Sequence, residues 1–294
     1  MSRTGSLRRS FLPRLSPALP LYLFTLVFVL GPLVYMLALS FMHREGAWGV
    51  AAEFTLRNYQ RIGIPEFAGT FVQSILLSLI STVMVIILGY PFGYFMARLD
   101  KRWRSRVMLL LIIPFWTSSL MRLYGWIIMF RANGPLDILL MGLHITREPM
   151  RLLYSYPAVV TGMIYALLPF MIYPVYASAE KLDRELVEAA RDLGASPIRA
   201  FLTVSLPLTM PGLFSGVVLT FVPSMGLFFI ADILGGNKVV LVGNLIHEQL
   251  MKAHDWPFAA ALSVVLMVMT SIFIYLYRRL SRTLGGSGEL EGLV

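Results

Sequence analysis

Six long apolar stretches, separated by short polar connections, organise the chain. They run approximately over residues 19–42, 71–97, 107–130, 157–179, 209–231 and 258–277. Each stretch has about 20 residues or more, which is the length that an α-helix needs to cross a bilayer core of roughly 30 Å. Lipid offers no hydrogen-bond partner to a bare peptide group, so stretches of this kind must be helical. The pattern therefore predicts an all-α, polytopic membrane protein with six transmembrane helices.

The composition agrees with this class. Hydrophobic residues make up 57% of the 294 residues and charged residues only 14%, whereas soluble domains carry about 25% charged residues. The chain has no cysteine, which excludes a disulfide framework and a thiolate metal site.

The basic residues are distributed unevenly between the two sets of connections. One set comprises both chain ends and the segments 98–106 and 180–206, and it holds sixteen lysines and arginines, whereas the alternate set holds eight. Acidic residues divide equally. Because basic residues accumulate on the cytoplasmic side of membrane proteins, both termini are predicted to be cytoplasmic. The net charge of +9 is thereby explained as an orientation signal, and nucleic acid is not an expected partner.

Residues 1–18 form a basic segment ahead of the first apolar stretch. This segment resembles the basic region of a signal peptide, but the apolar run that follows is too long and has no clear small-residue cleavage site. We therefore predict an uncleaved first helix. The segment itself is predicted to be a cytoplasmic tail, and a disordered anchor is favoured over a lipid-binding module because the segment is short and interrupted by prolines. Residues 19–280 are predicted to form the transmembrane domain, and 281–294 a C-terminal tail.

Arg122 is the one cation inside the six apolar stretches, which contain no carboxylate. Burying such a group costs at least about 2.5 to 3.5 kcal/mol, which marks it as a functional candidate. A straight helix counted from Val107 places Arg122 about 22 Å along the third span. Two interpretations are open, namely structural pairing and a role on the substrate path.

Sites for metal or nucleotide chemistry are not indicated by the sequence. The four histidines lie in the predicted outer connections without metal-ligand spacing, and no phosphate-binding GxxxxGK[ST] motif occurs. We therefore expect no metal, no cofactor and no catalysis in this chain, and any ATP must be bound by a partner.

Small residues and prolines interrupt the apolar stretches. Two GxxxG patterns, Gly89 to Gly93 and Gly212 to Gly216, are interpreted as ordinary close packing between helices. Prolines inside the spans predict kinks, which suit a protein that opens and closes a passage. They are Pro91, Pro114, Pro169, Pro174, Pro211 and Pro223.

A polar segment, residues 180–207, separates the fourth and fifth stretches, and we call it the elbow. Residues 184–193 favour helix, and Gly194 permits the left-handed turn that ends a helix. Ser196 can cap a second helix, with Pro197 at its first position. Burial in lipid does not explain such a segment, so we predict that it docks on a soluble partner.

The elbow resembles the EAA loop of binding-protein-dependent ABC importer permeases. That pattern reads EAA, three residues, G, nine residues, I, one residue, LP, and the matching residues are Glu188, Ala189, Ala190, Gly194, Leu206 and Pro207, with Val204 in place of the isoleucine. The resemblance implies the type I ABC importer permease fold, with the elbow as a coupling helix seated on an ATPase subunit. The implied contact residues are Glu188, Ala189, Ala190, Gly194, Ser196, Pro197 and Ile198.

Further segments are similar to the permeases of spermidine/putrescine importers, in particular the first of their two membrane subunits. They are residues 88–99, 112–126, 167–183, 188–196, 207–212, 225–236 and 255–258. This resemblance implies a bacterial cytoplasmic membrane, a second related permease, two cytoplasmic ATPase subunits that bind ATP and Mg, and an extracytoplasmic polyamine-binding protein. Permeases for opines and other small cations are close relatives, so the cargo stays open at this point.

A polyamine presents ammonium groups, which carboxylates, carbonyl oxygens and aromatic faces bind well. Asp232 and Asp255 are expected at the outer ends of the fifth and sixth helices, and we hypothesise that Arg122 holds Asp232 in place or repels wrong cargo. The alternative is an interfacial aromatic belt with solvated acids. The nearby aromatic candidates are Trp116, Tyr124, Trp126, Phe228, Phe229 and Trp256.

Two other classes of protein fit less well. A secondary transporter usually places ionisable groups near the membrane midplane, where this chain offers only Arg122. A membrane-embedded enzyme would need His, Asp or Glu within the apolar stretches, and none is present.

Overall fold

The computed structural model describes residues 19–46 and 49–284, and these residues form a helical bundle with one small hairpin. The predicted all-α class is confirmed. The predicted N-terminal tail, residues 1–18, and residues 285–294 of the predicted C-terminal tail lie outside the described residues. The helices are α1 Leu19–Ser40, α2 Arg57–Ile62, α3 Pro65–Met96, α4 Lys101–Ile112, α5 Ser119–Phe130, α6 Pro135–Gly142, α7 Tyr156–Glu180, α8 Arg184–Asp192, α9 Pro197–Gly226, α10 Phe228–Ile230, α11 Val242–Met251 and α12 Trp256–Leu284.

The hairpin follows α1. Its strands, β1 (His43–Glu45) and β2 (Gly49–Ala51), are antiparallel, with His43 opposite Ala51. The buried Asn58 at the start of α2 donates hydrogen bonds to the carbonyl oxygens of Ser40 and Met42, at 3.0 and 2.9 Å. These bonds fix the end of α1 against α2.

Five helices in the described part of the chain are long and apolar enough to cross a membrane on their own: α1, α3, α7, α9 and α12. A sixth crossing exists only if a bent pair of segments, Lys101–Trp116 and Ser119–Gly142, is counted as one span. The two members of this pair meet at an angle of 95°. The third predicted span, residues 107–130, is therefore divided after Trp116, at a break much sharper than the kink predicted at Pro114.

The break in this span has a local cause. Pro114 has no N–H to donate, and Thr117 is extended at φ −93° and ψ 152°. The guanidinium group of Arg122 then donates to the carbonyl oxygen of Pro114, to that of Thr117 at 3.0 Å, and to the Ser119 hydroxyl at 3.1 Å. These bonds satisfy backbone groups that the break releases, as a membrane interior requires. The depth of about 22 Å predicted for Arg122 assumed a straight helix, so this value does not apply to the bent span.

The core is centred on α7. Val159, Met163, Leu167, Met171 and Val175 recur every four residues and are at most 1% exposed. Side chains at this spacing lie on one face of a helix. The same helix packs against both α3 and α9, which also contact each other, so these three helices together enclose the core.

Glycines allow α3 and α9 to approach α7 closely. A Cβ atom placed on Gly93 of α3 would lie 2.8 Å from the Ile172 carbonyl oxygen, and one on Gly212 of α9 would lie 2.6 Å from the Ser178 hydroxyl. Gly89 and Gly216 face Met171 from the two sides in the same way. The interpretation of both GxxxG patterns as helix packing is confirmed.

Polar contacts between the segments that connect the helices show at which end of the bundle each segment lies. At one end, Arg104 after α3 forms an ion pair of 2.7 Å with Glu180 at the end of α7; we call this the elbow end. At the opposite end, Arg61 pairs with Asp255 at 2.8 Å, and the Tyr154 amide donates to the Leu234 carbonyl oxygen at 2.8 Å. The connections therefore alternate between the two ends as the sequence predicts.

Candidate functional site

The elbow has the local geometry that its sequence predicts. The Asp183 carboxylate caps α8 by accepting from the Glu185 amide at 3.0 Å, and Gly194 adopts a positive φ of 87° after α8 ends. The Ser196 hydroxyl then accepts from the Arg199 amide at 3.3 Å, and Pro197 occupies the first position of α9. Two helical arms are thus joined at a left-handed turn.

The elbow exposes the residues that the EAA pattern marks. No side chain of α8 is buried, and Glu188 and Ala189 are exposed, while Ala190 is partly covered. Leu193 and Ile198, which flank the turn, are 89% and 73% exposed. Such large exposed apolar side chains beside a charged helix face are typical of a surface that a partner covers.

A cavity of about 380 Å³ lies at the base of the elbow, between α8 and the ends of α3 and α7. Its lining is dominated by charge: the arginines Arg98, Arg104, Arg184 and Arg191 and the acids Glu180 and Glu188, together with Tyr94, Ala97, Ala179, Leu182 and Val187. Positive groups outnumber negative ones here, and α8 is separated from the bundle by space over part of its length.

At the opposite end, Asp232 lies on the turn of π-helix Ala231–Gly235 that follows α10, and its side chain is exposed. The Asn244 amide group donates to Asp232 Oδ1 at 2.6 Å and to the Phe228 carbonyl oxygen at 3.1 Å. Asn244 Oδ1 accepts in turn from the Leu241 amide at 2.9 Å. Asn244 is itself buried, so it holds an exposed carboxylate in a fixed position.

Sequence reasoning missed Asn244. The available signal was a single amide residue within the apolar run LVGNLI of residues 241–246. A buried amide requires hydrogen-bond partners, and here one of those partners is the candidate residue Asp232.

Asp255 has a different environment from Asp232. Its carboxylate is buried, pairs with Arg61 at 2.8 Å, and accepts from the Phe258 amide at 3.2 Å as a cap of α12. The Arg61 guanidinium also lies 3.9 Å from the centre of the Phe258 ring. In this structure the Asp255 carboxylate joins α2 to the start of α12.

The hypothesised contact between Arg122 and Asp232 does not form among the described residues. The Arg122 guanidinium bonds the carbonyl groups at the break of the third span and lies 5.0 Å from the Phe115 ring centre, whereas Asp232 bonds Asn244. Arg122 is therefore paired with carbonyl oxygens rather than a carboxylate, and its role on the substrate path stays a prediction.

The aromatic candidates are divided between surface and core. Phe228 stacks on the His247 ring at 5.1 Å beside Asp232, and Trp126 packs on Phe130 and Tyr165 at 5.0 and 5.6 Å. The helix α5, which carries Trp126, packs against the turn of Asp232. Trp116, Tyr124 and Trp256 are exposed, and Phe229 is half-buried.

Within residues 19–46 and 49–284 no group of three or more histidine, aspartate or glutamate side chains could hold a metal ion.

Comparison with known proteins identifies relatives along most of the chain. The family model described as binding-protein-dependent transport system inner membrane component matches residues 89–286. The spermidine/putrescine transport system permease protein PotB of Escherichia coli (strain K12) is 42% identical over 265 residues, covering 90% of this chain and 96% of that protein. The protein of the same name from Haemophilus influenzae is 41% identical over 264 residues, covering 90% and 92%.

Two solved structures share the fold. The bacterial alginate ABC transporter in complex with alginate pentasaccharide-bound periplasmic protein has a TM-score of 0.74 at 15% identity, covering 93% of this chain and 95% of that chain. The inward-facing MetNI methionine ABC transporter has a TM-score of 0.56 at 16% identity, covering 74% and 95%.

The bundle, its exposed elbow and these relatives together define a multi-pass permease subunit, a non-catalytic membrane component of an ABC transporter. The chain belongs to the family of binding-protein-dependent transport system inner membrane components.

Proposed function

We propose that this chain forms one membrane-spanning half of an ATP-driven importer of polyamines. The observation that carries the proposal is its 42% identity to spermidine/putrescine permeases over 90% of the chain and 96% of the relative. A second, related permease would form the other half of the pathway. Two cytoplasmic subunits would bind ATP and Mg, and an extracytoplasmic polyamine-binding protein would deliver the cargo.

The orientation in this proposal follows from the basic residues. The elbow and both termini lie on the cytoplasmic side, because the connections that carry the excess of lysine and arginine favour that side. The turn of Asp232 and the pair of Arg61 with Asp255 then lie on the extracytoplasmic side, where the delivery protein docks.

The elbow transmits the movement of the ATPase in this proposal. Glu188, Ala189, Ala190 and Ile198 contact the ATPase, and the turn at Gly194 keeps the two arms at a fixed angle. Closure of the nucleotide-binding subunits then swings the elbow as a rigid body and changes the packing of the spans. The exposure of these residues and the cap of Ser196 on the second arm support this role.

Asp232 receives the ammonium group of the cargo in this proposal. Its carboxylate is exposed and held by Asn244. The Phe228 ring lies four residues earlier, in α10, and is stacked on His247; in this proposal it offers aromatic surface to a cation. The exposed or partly exposed rings of Trp116, Tyr124, Trp126, Phe229 and Trp256 would line the remaining path. The charge of Asp255 serves mainly to hold α2 against α12, since its oxygens already bind Arg61 and the cap of that helix.

The test is ATP-driven uptake by the four-subunit complex in proteoliposomes, with the extracytoplasmic binding protein added outside. The cargo panel is spermidine, putrescine, an opine and arginine. We expect uptake of a polyamine with ATP inside and none under an imposed ion gradient alone. The variant Asp232→Asn should lower uptake at limiting cargo by about tenfold, the order expected when a charge-assisted contact of about 1.4 kcal/mol is lost.

Glu248→Gln provides the matched control for Asp232→Asn. Glu248 is an exposed carboxylate on α11 at the same end, with only a surface pair of 3.7 Å to Lys252, so its removal should leave uptake at the parental level. Equal uptake by Asp232→Asn and the parent would refute the role of Asp232. Uptake of an opine and no polyamine would instead reassign the cargo.

A further inference from the structure

Tyr94 and Arg98 lie one turn apart where α3 reaches the elbow end. The Tyr94 side chain is 5% exposed. The Arg98 guanidinium donates a hydrogen bond to the Tyr94 hydroxyl oxygen and lies 4.4 Å from the centre of the same ring. Since its hydroxyl oxygen accepts from Arg98, Tyr94 is left with its own proton to donate elsewhere.

That proton is donated to the second arm of the elbow. The Tyr94 hydroxyl donates to Ser205 Oγ at 2.8 Å, and Ser205 is fully buried. Ser205 ends a π-helical turn, Phe201–Ser205, inside α9. Turns of this type are local departures from regular helix and occur often at functional positions. The Phe201 ring also packs edge-on against the Tyr94 ring at 5.3 Å.

The first arm of the elbow reaches the same place. Arg184, the first residue of α8, donates through Nη2 to the carbonyl oxygen of Arg98 at 3.4 Å. The end of α3 is therefore bonded to both arms, one on each side of the turn at Gly194. The Arg98 backbone holds α8, and the Tyr94 hydroxyl holds the start of α9.

The surroundings of α8 make these bonds important. The helix buries none of its side chains, and the cavity of about 380 Å³ separates part of it from the ends of α3 and α7. Apolar packing alone therefore does not fix α8 to the bundle. Instead, α8 is held by the exposed bond from Arg184 and by its contact with the turn Phe201–Ser205. That turn is itself held to α3 by the buried bond from Tyr94 to Ser205, which the low local dielectric strengthens.

We propose that Tyr94 and Arg98 are positioning residues for coupling, and that they pass the movement of the elbow to α3. The proposal rests on the coupling role proposed above and adds the point at which movement enters the bundle. When the elbow swings, α3 moves with both arms because one tyrosine and one arginine at its end bond to both of them. Without these bonds the elbow moves while α3 lags behind.

Tyr90 supplies a matched control on the same helix. It lies one turn before Tyr94, and its hydroxyl bonds the Thr209 hydroxyl of α9 at 2.6 Å. Thr209 lies one turn after Ser205, inside the bundle, and Tyr90 contacts neither Arg98 nor α8 among the described residues. Tyr90→Phe and Tyr94→Phe therefore remove the same chemical group from the same pair of helices, but only the second cuts the link to the elbow.

The experiment uses the full complex and two measurements. The first is polyamine uptake per ATP hydrolysed in proteoliposomes. The second is the distance between spin labels on Leu99→Cys, just after α3, and Leu202→Cys, on the second arm of the elbow, both of which are exposed positions. It is measured in lipid nanodiscs, with and without a non-hydrolysable ATP analogue. This chain contains no cysteine of its own, so with cysteine-free partner subunits the labels attach only at these two positions.

We expect the parent and Tyr90→Phe to keep one narrow distance with and without nucleotide, because the second arm of the elbow and α3 move together. Tyr94→Phe should broaden that distance on nucleotide binding and lower uptake per ATP by about fivefold, which corresponds to one buried hydrogen bond of about 1 kcal/mol. Ser205→Ala cuts the same link from the other side and should give the same result, and it carries the test should Tyr94→Phe fail to assemble.

Equal broadening in Tyr90→Phe and Tyr94→Phe, or unchanged distances and coupling in both Tyr94→Phe and Ser205→Ala, would overturn this proposal. The experiment also distinguishes failure of this link from failure of the proposed function. A parent complex that takes up no polyamine with ATP contradicts the function, whereas the label distances need no cargo and report on the link alone.

Discussion

Gly194 offers a sharp test of the elbow because its environment separates backbone strain from crowding. Its φ is 87°, and a Cβ atom built there would meet no other atom of the chain within 4 Å. Any cost of a side chain within this chain is therefore the cost of the left-handed conformation alone. For alanine that cost is roughly 1–2 kcal/mol, which would lower the population of the observed turn by about 5- to 30-fold.

Three variants at position 194 separate the effects of backbone strain, side-chain size and charge. Gly194→Ala introduces strain with little bulk, whereas Gly194→Asn introduces bulk with less strain, because asparagine visits the left-handed region more readily. Gly194→Asp matches asparagine in size and adds a charge. We expect all three to insert and assemble, since the turn is exposed and contributes nothing to the core.

The assay is uptake and ATP hydrolysis by the reconstituted complex, together with the affinity of the ATPase for the permease. We expect Gly194→Ala to lower uptake per ATP more than it lowers affinity, and Gly194→Asp to lose uptake while the permease stays in the membrane. An asparagine variant that is impaired while the alanine variant is normal would show that space, not backbone conformation, matters at this position. Parental coupling in all three variants would refute the reasoning about the elbow.

Further predictions concern the two ends and the packing of the bundle. Gly212→Ala should destabilise the detergent-solubilised complex by about 1–3 kcal/mol, as overpacking does, because its Cβ would press on Ser178 of α7. The control is Gly226→Ala, because a Cβ at Gly226 would meet open space. Equal melting temperatures of the two variants would contradict the close packing of α9 on α7 at Gly212. Asp255→Ala should lose both the cap of α12 and the pair with Arg61, about 1–3 kcal/mol, whereas Asp255→Asn keeps capping ability and should lose roughly half of that. Thermal unfolding measures the stability loss of each variant, and equal losses would show that the cap contributes nothing. If Asp255→Asn lost uptake without losing stability, the Asp255 carboxylate would be in contact with cargo.

The elbow could be predicted in detail because its signals are local. A glycine for the left-handed turn, a serine cap and a proline at the first helical position act within a few residues of each other, and each has the predicted geometry. The GxxxG patterns were equally readable, because a missing side chain permits close approach whatever the partner helix is.

The bend in the third span could not be predicted from hydropathy. Residues 107–130 are apolar enough for a span, but an average over composition carries no information on backbone torsions at Thr117 and Ser118. The local signal was Pro114 followed eight residues later by Arg122, which can bond the carbonyl groups that a break exposes. The sequence suggested a kink at this proline but not a bend of 95°.

The polar contacts of the opposite end depend on tertiary structure. Asn244 lies 12 residues from Asp232, and Arg61 lies 194 residues from Asp255. Neither sequence separation matches a helical repeat, so no pattern within one helix predicts these two pairs. Both carboxylates looked alike in sequence, and only the folded chain separates an exposed, oriented acid from one that is already neutralised by an arginine.

The first helix has an unusual place in the order of assembly. Most side chains of α1 are exposed, and within this chain it packs chiefly on α12, the last span. Synthesis proceeds from the N-terminus, so α1 enters the bilayer before α12 does. Within this chain, α1 therefore lacks its main packing partner until α12 has been inserted, and the contact between these two helices forms late in assembly.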